Sequence, residues 1–178
     1  KVYTEGISKI TAQDVKYAED LGFRIKHLGI ARRAEKGIEL RVHPTLIPDE
    51  QLIANVNGVK NAVLVQANAV GPTLYYGAGA GAGPTASAVV ADVIDIVRDI
   101  SYTEDGAGTI PQLAFEALTN VPILSREEMT TGYYIRLNAE DQTGVLADVT
   151  TILSRAGISI DAIMQQSRLK DLIPIVIL

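Results

Sequence analysis

The stretch Tyr75-Tyr76-Gly77-Ala78-Gly79-Ala80-Gly81-Ala82-Gly83-Pro84-Thr85-Ala86 sets alternating glycines ahead of an apolar run that continues to about Ile100. Glycine permits positive φ and close approach of a ligand to the backbone, and the fixed φ of Pro84 suits the first turn of a helix. A helix start with bare peptide N–H groups also attracts anions. Two readings follow: a loop that touches a phosphate or carboxylate, or a tight connection whose glycines let a helix pack closely on a sheet. The dinucleotide pattern G-x-G-x-x-G is not completed, because Pro84 stands three residues after Gly81. Beyond Pro84, Ala88, Val89, Val93, Ile96, Val97 and Ile100 recur at helical spacing, with Asp92, Asp95, Arg98 and Asp99 on another sector. The spacing predicts a helix of about 18 residues packed on a sheet, its acids forming a solvated face rather than a metal site.

Toward the N-terminus, Thr11-Ala-Gln-Asp14 is a capping box for a helix with Val15, Ala18 and Leu21 on one face, and Gly22 stands at its C-cap. Phe23 to Ile30 forms a buried strand; Gly37 and its charged neighbours mark a turn. Ile38, Leu40 and Val42 then alternate with Glu39, Arg41 and His43, so a hairpin is expected with the charged residues facing water. Pro44 and Pro48 interrupt that strand, and Asp49 caps a short helix through Ile53. Asn57-Gly58 turns the chain into a strand from Ala62 to Ala67, and Thr73 to Tyr76 is extended. His27 and His43 fit solvated or hydrogen-bonded structural roles better than catalysis.

From Thr103 to Met129 the pattern breaks, with Pro111, Pro122 and Arg126-Glu127-Glu128, and residues 104–130 are expected to link two domains, 1–103 and 131–178. Tyr133, Ile135, Leu137 and Ala139 alternate with Tyr134, Arg136 and Asn138. Asp141-Gln-Thr-Gly144 then turns into a helix with the stripe Val145, Val149, Ile152, Leu153 and Ala156, stopped by Gly157. Ile158, Ile160, Ala162 and Met164 alternate as a strand, and Leu172 to Leu178 form a last one, so the tail reads β-α-β-β.

Composition narrows the functions open to this chain. With 178 residues, 47% of them hydrophobic, it has the material for one sizeable domain or two small ones. A net charge of −5, with 16 lysines and arginines scattered singly, argues against a nucleic-acid surface or a polybasic membrane anchor. The absence of cysteine excludes disulfides, thiolate metal sites and cysteine nucleophiles, and two histidines are too few for a histidine-rich metal cluster. A start at Lys1, without signal peptide or methionine, fits a cytoplasmic piece of a longer polypeptide.

Two resemblances rest on residues in fixed order. Residues 1 to about 100 resemble the C-terminal part of the catalytic domain of homoserine dehydrogenases. The matching stretches are Tyr3-Thr-Glu-Gly-Ile7, Ile10-Thr-Ala-Gln-Asp14, Arg24-Ile-Lys26, Val42-His-Pro-Thr-Leu-Ile-Pro48, Gly77-Ala-Gly-Ala-Gly81, Pro84-Thr-Ala86 and Val89-Val-Ala-Asp92. Residues 131–178 resemble an ACT domain, a ferredoxin-like amino-acid-binding module, through Tyr133-Tyr-Ile-Arg-Leu137, Asp141-Gln-Thr-Gly-Val-Leu146 and Gly157-Ile-Ser-Ile160. The fold expected is α/β (α+β), a mixed sheet covered by helices and followed by a partial ACT domain.

The resemblance implies NAD(P)H-dependent interconversion of aspartate semialdehyde and homoserine, on the route to threonine, isoleucine and methionine, with NADP or NAD as cofactor. It implies that Gly77, Gly79 and Gly81 approach the nicotinamide end of the cofactor. In the ACT part it implies that Asp141, Gly144, Val145 and Leu146, with Ser159, contact an amino-acid effector such as threonine; the alternative for Asp141 is a plain helix cap. Homodimers or larger assemblies are expected from the family. In the family a Gly-x-Asp is followed by three residues and then the proton-donor lysine, and no segment here fits that pattern; Lys26 and Lys36 stand in other contexts. No catalytic residue is therefore assigned, the nucleotide domain is expected upstream of Lys1, and the chain alone is expected to be inactive. A complete ACT domain runs β-α-β-β-α-β, so a chain stopping at β-α-β-β is expected to leave an edge and one sheet face open. A rival reading is a stand-alone amino-acid-binding regulatory or dimerisation protein.

Overall fold

In the computed structural model, residues 2–102, 118–140, 142–165 and 172–178 are described; Asp141 and most of the expected linker lie outside them. The chain forms two compact units, one made of Lys1–Asp49 and Pro122–Leu178, the other of Glu50–Val121.

The first unit opens with β1 (Tyr3–Thr4), α1 (Ala12–Asp20) and the antiparallel pair β2 (Phe23–Ala34) and β3 (Gly37–Pro48), in sheet order β1-β3-β2. The register runs from Phe23 opposite Pro48 to Ala34 opposite Gly37, around a two-residue turn. Pro44 does not interrupt β3, against expectation, and the ladder explains why. Val42 accepts a hydrogen bond from Glu5 N–H, so even-numbered residues of β3 aim their backbone groups away from β2. β1 pairs no further than Val42, so the N–H that Pro44 lacks would have had no strand to serve. Farther back on the same edge, Ile38 donates to Pro122 and accepts from Leu124, forming a parallel bridge with Ile123. A β-carbon on Gly37 would sit 3.2 Å from the Pro122 carbonyl carbon, which is why glycine stands there.

Two expectations about faces are corrected. Glu39, read as water-facing, is 1% exposed. Its carboxylate accepts from Arg32 Nε at 2.7 Å and lies 2.9 Å from Arg41 Nη1, so charge pairing offsets its burial at a position where hydropathy alone predicted water, although Oε1 makes no hydrogen bond among the described residues. On α1 the capping box forms as expected, but the buried residues are Asp14, Tyr17 and Ala18, while Val15 is 41% exposed. The helix is rolled inward on the side of Asp14, because that carboxylate has its own partners inside.

The same unit ends with β6 (Ile135–Glu140), α3 (Val145–Arg155), β7 (Ile163–Gln165) and β8 (Leu172–Ile177), in antiparallel order β6-β8-β7. The expected β-α-β-β tail is present. β8 is apolar throughout because it is the central strand. Ile175, Val176 and Ile177 are each 3% exposed or less, and burying such a side chain contributes about 1.5–3 kcal/mol. An aspartate at Val176 would break this core. The α3 stripe is only partly borne out: Val145, Val149 and Leu153 are half-buried, but Ile152 and Ala156 face outward. The strand expected from Ile158 to Met164 pairs as a ladder only over Ile163–Gln165.

The second unit holds a 3-10 turn (Leu52–Asn55), the hairpin β4 (Lys60–Ala67) and β5 (Gly71–Ala78), and α2 (Ala82–Tyr102). The turn is not capped by Asp49: Gln51 takes the N-cap position without a side-chain bond. Gly58 adopts φ 63° in the turn predicted before β4. The helix after the glycine loop forms, yet it is not packed on a sheet as its spacing suggested: Val89, Val93, Ile96 and Val97 are all more than half exposed. Among the described residues the strands fall into three sheets, β1-β3-β2, β4-β5 and β6-β8-β7.

Candidate functional site

The glycine loop joins β5 to α2. Gly77 and Ala78 close the strand opposite Asn61 and Lys60, Gly79 and Ala80 cross over, and Gly81 precedes the helix at φ 123°. Thr85 N–H donates to the Gly81 carbonyl, so the helix starts at Ala82 and Pro84 is its third residue, where a missing N–H costs nothing. The three glycines differ in what requires them. Gly81 needs glycine for its φ. At Gly79 the side chain of Asn61 fills the space a side chain would take, with Asn61 Cγ 2.7 Å from the place a β-carbon would occupy, so a substitution there displaces Asn61. A β-carbon on Gly77 would meet no heavy atom of the described residues within 4 Å. No acidic residue lies in the first turn of α2, so the positive end of its dipole is not neutralised internally. Small residues, exposed backbone donors and no competing carboxylate make a donor set that fits the phosphate or carboxamide of a dinucleotide.

A second feature lies in the first unit at the turn from β6 into α3. Gly144, at φ 96°, is the N-cap of α3, and among the described residues no side-chain hydrogen bond caps the helix. An open cleft of about 220 Å³ lies over this turn. Gly144, Val145 and Leu146 line one side, Ala139 and Glu140 the end of β6, and Gln165, Ile173 and Ile175 the neighbouring strands. Gln142 closes the turn: its N–H donates to the Glu140 carbonyl at 2.8 Å and its side chain to the Glu140 carboxylate at 2.7 Å. The lining brings together the start of α3, the Glu140 carboxylate and apolar side chains, a set that could hold the charged ends of an amino acid. Of the effector residues expected, Gly144, Val145 and Leu146 come together here. Ser159 is exposed and does not line the cleft, and Asp141 lies outside the described residues. Glu140 and Gln165 were not anticipated: Glu140 ends an alternating strand and reads as solvated, and Gln165 has no local signal.

A third cluster also escaped the sequence reading. Asp14 is 3% exposed. Its carboxylate accepts from Thr11 N–H at 2.8 Å, Thr11 Oγ1 at 2.6 Å and Tyr134 Oη at 2.8 Å, and lies 2.7 Å from Arg136 Nε. Burial by itself would raise the Asp14 pKa, but the Thr11 and Tyr134 hydrogen bonds and the Arg136 charge outweigh it and hold the group below the usual carboxylate value. Burial first, and then the bond to Asp14, push the Tyr134 hydroxyl well above an ordinary tyrosine. The signal was available in principle: Tyr134 and Arg136 share a strand face, but their partner lies 120 residues away.

Neither His27 nor His43 belongs to a site. His27 Nε2 is 3.1 Å from the Glu5 carbonyl and His43 Nδ1 2.8 Å from the Pro44 carbonyl, as structural histidines. Among the described residues no group of His, Asp and Glu could hold a metal ion, and no helix is long and apolar enough to cross a membrane.

Comparison with known proteins identifies both parts. The ACT domain profile matches residues 133–178, so the β-α-β-β module belongs to the class of ACT domains. The homoserine dehydrogenase profile matches residues 1–94, and the chain belongs to the homoserine dehydrogenase family of oxidoreductases. It is 61% identical over 168 residues to the homoserine dehydrogenase of Pseudomonas aeruginosa, covering 93% of this chain and 38% of that protein. It is 54% identical to the enzyme of Neisseria gonorrhoeae, covering 92% and 38%. The crystal structure of a homoserine dehydrogenase from Thiobacillus denitrificans superposes with a TM-score of 0.86 at 58% identity, covering 99% of this chain and 40% of that one. The chain thus spans well under half the length of its relatives.

Proposed function

We propose that the chain is the portion of a homoserine dehydrogenase that contributes one wall of the cofactor and substrate crevice together with an amino-acid-sensing module. The observation that carries this reading is the glycine loop, sterically open at Gly77 and followed by an unneutralised helix start, within a segment 61% identical to a homoserine dehydrogenase. The parent reaction is interconversion of aspartate semialdehyde and homoserine, in threonine, methionine and isoleucine biosynthesis, in the cytoplasm. When bound, the nicotinamide of NADP or NAD supplies or accepts the hydride. Gly77, Gly79 and Gly81 carry no side chain into its path; the Gly79 N–H is taken by the Val59 carbonyl, so the donors come from the first turn of α2, which directs its positive end toward negative charge.

Carbonyl reduction also needs a proton donor within reach of the forming alkoxide. The 178 residues contain no Gly-x-Asp followed by three residues and a lysine, so the chain alone is inactive. The cleft over Gly144 binds threonine: its carboxylate meets the N–H groups of α3 and its ammonium meets Glu140. The enzyme works as a homo-oligomer. Assay of NADPH oxidation with aspartate semialdehyde tests the first part, with turnover expected from the full-length enzyme and none from this chain. Turnover by the chain alone would overturn it. Calorimetry with threonine tests the second part, and absence of binding heat would remove the effector assignment.

A further inference from the structure

The cluster around Asp14 joins two parts of the chain that the sequence separates by 120 residues. Thr11 and Asp14 form the capping box of α1, in the segment that matches the dehydrogenase; Tyr134 and Arg136 lie at the start of the ACT segment. Both oxygens of one carboxylate are thereby shared between closing the first turn of α1 and holding β6. Removing either set of partners leaves a buried charge under-satisfied.

β6 also reaches the effector cleft. Arg136 sits near one end of the strand, and Ala139 and Glu140 line the cleft at the other. Between them the strand is paired with β8 without a break, from Ile135 opposite Ile177 to Glu140 opposite Leu172. Ile173 and Ile175 of β8 also line the cleft. A fully paired strand moves as a body, so a shift at the cleft end is carried to Tyr134 and Arg136, roughly 13–20 Å away at about 3.3 Å per residue.

We propose that the Asp14–Tyr134–Arg136 cluster is the mechanical coupling by which occupancy of the cleft over Gly144 reaches α1, with β6 as the rigid rod between them. The proposal rests on the reading of that cleft as an effector site. The device requires that ligand-bound and ligand-free forms differ in how β6 presents Tyr134 and Arg136 to Asp14, since a ligand shifts an equilibrium only by its differential affinity. Coupling of this kind is reciprocal: loosening the cluster changes threonine affinity as well as the response of α1.

The test uses the full-length enzyme that carries this segment, with threonine as the probe, calorimetry to read binding, and hydrogen exchange to read the α1 amides from Ala12 to Asp20. In the wild type, saturating threonine is expected to change exchange at α1 at least threefold. The double variant Tyr134→Phe, Arg136→Gln leaves every cleft residue and the Thr11–Asp14 box intact; it is expected to keep binding heat, with an altered affinity, and to lose the α1 response. Should that variant not fold, Tyr134→Phe alone, which keeps the ion pair, is expected to diminish the response. Threonine binding that leaves α1 exchange unchanged in the wild type, or a response that survives intact in the variants, overturns the coupling alone. Absence of binding heat in the wild type overturns the effector reading and the coupling with it.

Discussion

Asn61 occupies the space beside Gly79: a β-carbon there would lie 2.7 Å from Asn61 Cγ and 3.3 Å from its Cβ. Substitution of Gly79 therefore disturbs the hairpin before any ligand is considered. Gly79→Val is expected to destabilise the second unit by about 1–3 kcal/mol through overpacking. Gly77 is the position that separates the two roles. Gly77→Ala is expected to leave stability within about 0.5 kcal/mol and, in the full-length enzyme, to raise the cofactor KM. Denaturant melts and steady-state kinetics on the pair check this, and an unchanged KM for Gly77→Ala would return the loop to a purely structural role.

The charge cluster in β2 and β3 yields a stability prediction. Glu39→Ala leaves Arg41, whose side chain is 12% exposed, with no carboxylate beside it. Breaking a buried pair by removing one partner costs about 3–5 kcal/mol. Arg32→Ala, on a side chain 58% exposed, is expected to cost less than about 1 kcal/mol. Urea midpoints of the two variants should differ accordingly.

A pH prediction follows from Asp14 and Tyr134. The folded pKa of Asp14 lies below its ordinary value of 3.8, so its contribution is complete above that value and is lost as pH falls through the depressed one. The folded pKa of Tyr134 lies above its ordinary 10.0; its contribution is complete below that value and is lost as pH rises beyond it. Asp14→Asn is expected to flatten the acid limb of the stability profile, and Tyr134→Phe the alkaline limb. Unfolding free energies across pH 2.5–11, on the order of the range these groups span, provide the measurement.

The cleft makes a further demand on backbone. Gly144 sits at φ 96°, a region that costs a residue with a β-carbon about 1–3 kcal/mol. Gly144→Ala is expected to destabilise α3 by that amount and to weaken threonine binding at least tenfold, because it tilts the N–H groups of Val145 and Leu146. Calorimetry alongside thermal melts distinguishes the two effects.

Elements with a strong local signature were legible in the sequence. The Thr11–Asp14 box, the β2–β3 hairpin, the helix after Pro84 and the β-α-β-β tail each depend on neighbours within a few residues. Partnership over long distance was not legible. Glu39 looked solvated because the arginines that neutralise it lie on its own strand and on the strand opposite. Val15 looked buried because nothing nearby revealed that Asp14 would be drawn inside by Tyr134. The α2 stripe gave the helix through its period, but the packing on a sheet that it suggested is not seen, and its residues remain exposed. Of the candidate sites, the glycine loop and the Gly144 turn were visible as motifs. Glu140 and Gln165 joined the cleft only through strand pairing.

The bridge between Ile38 and Ile123 bears on how this chain is made. Because Glu50–Val121 is inserted within the other unit, the free edge of β3 next to Ile38 must wait for a covering segment about 80 residues further along. At synthesis rates of about 5–20 residues per second, that edge stands open for roughly 4–16 s on the ribosome. An uncovered strand edge is a template for pairing with another nascent chain. The first unit therefore cannot finish folding in the order in which it is translated, and during this interval that edge is open to misassembly and to capture by chaperones.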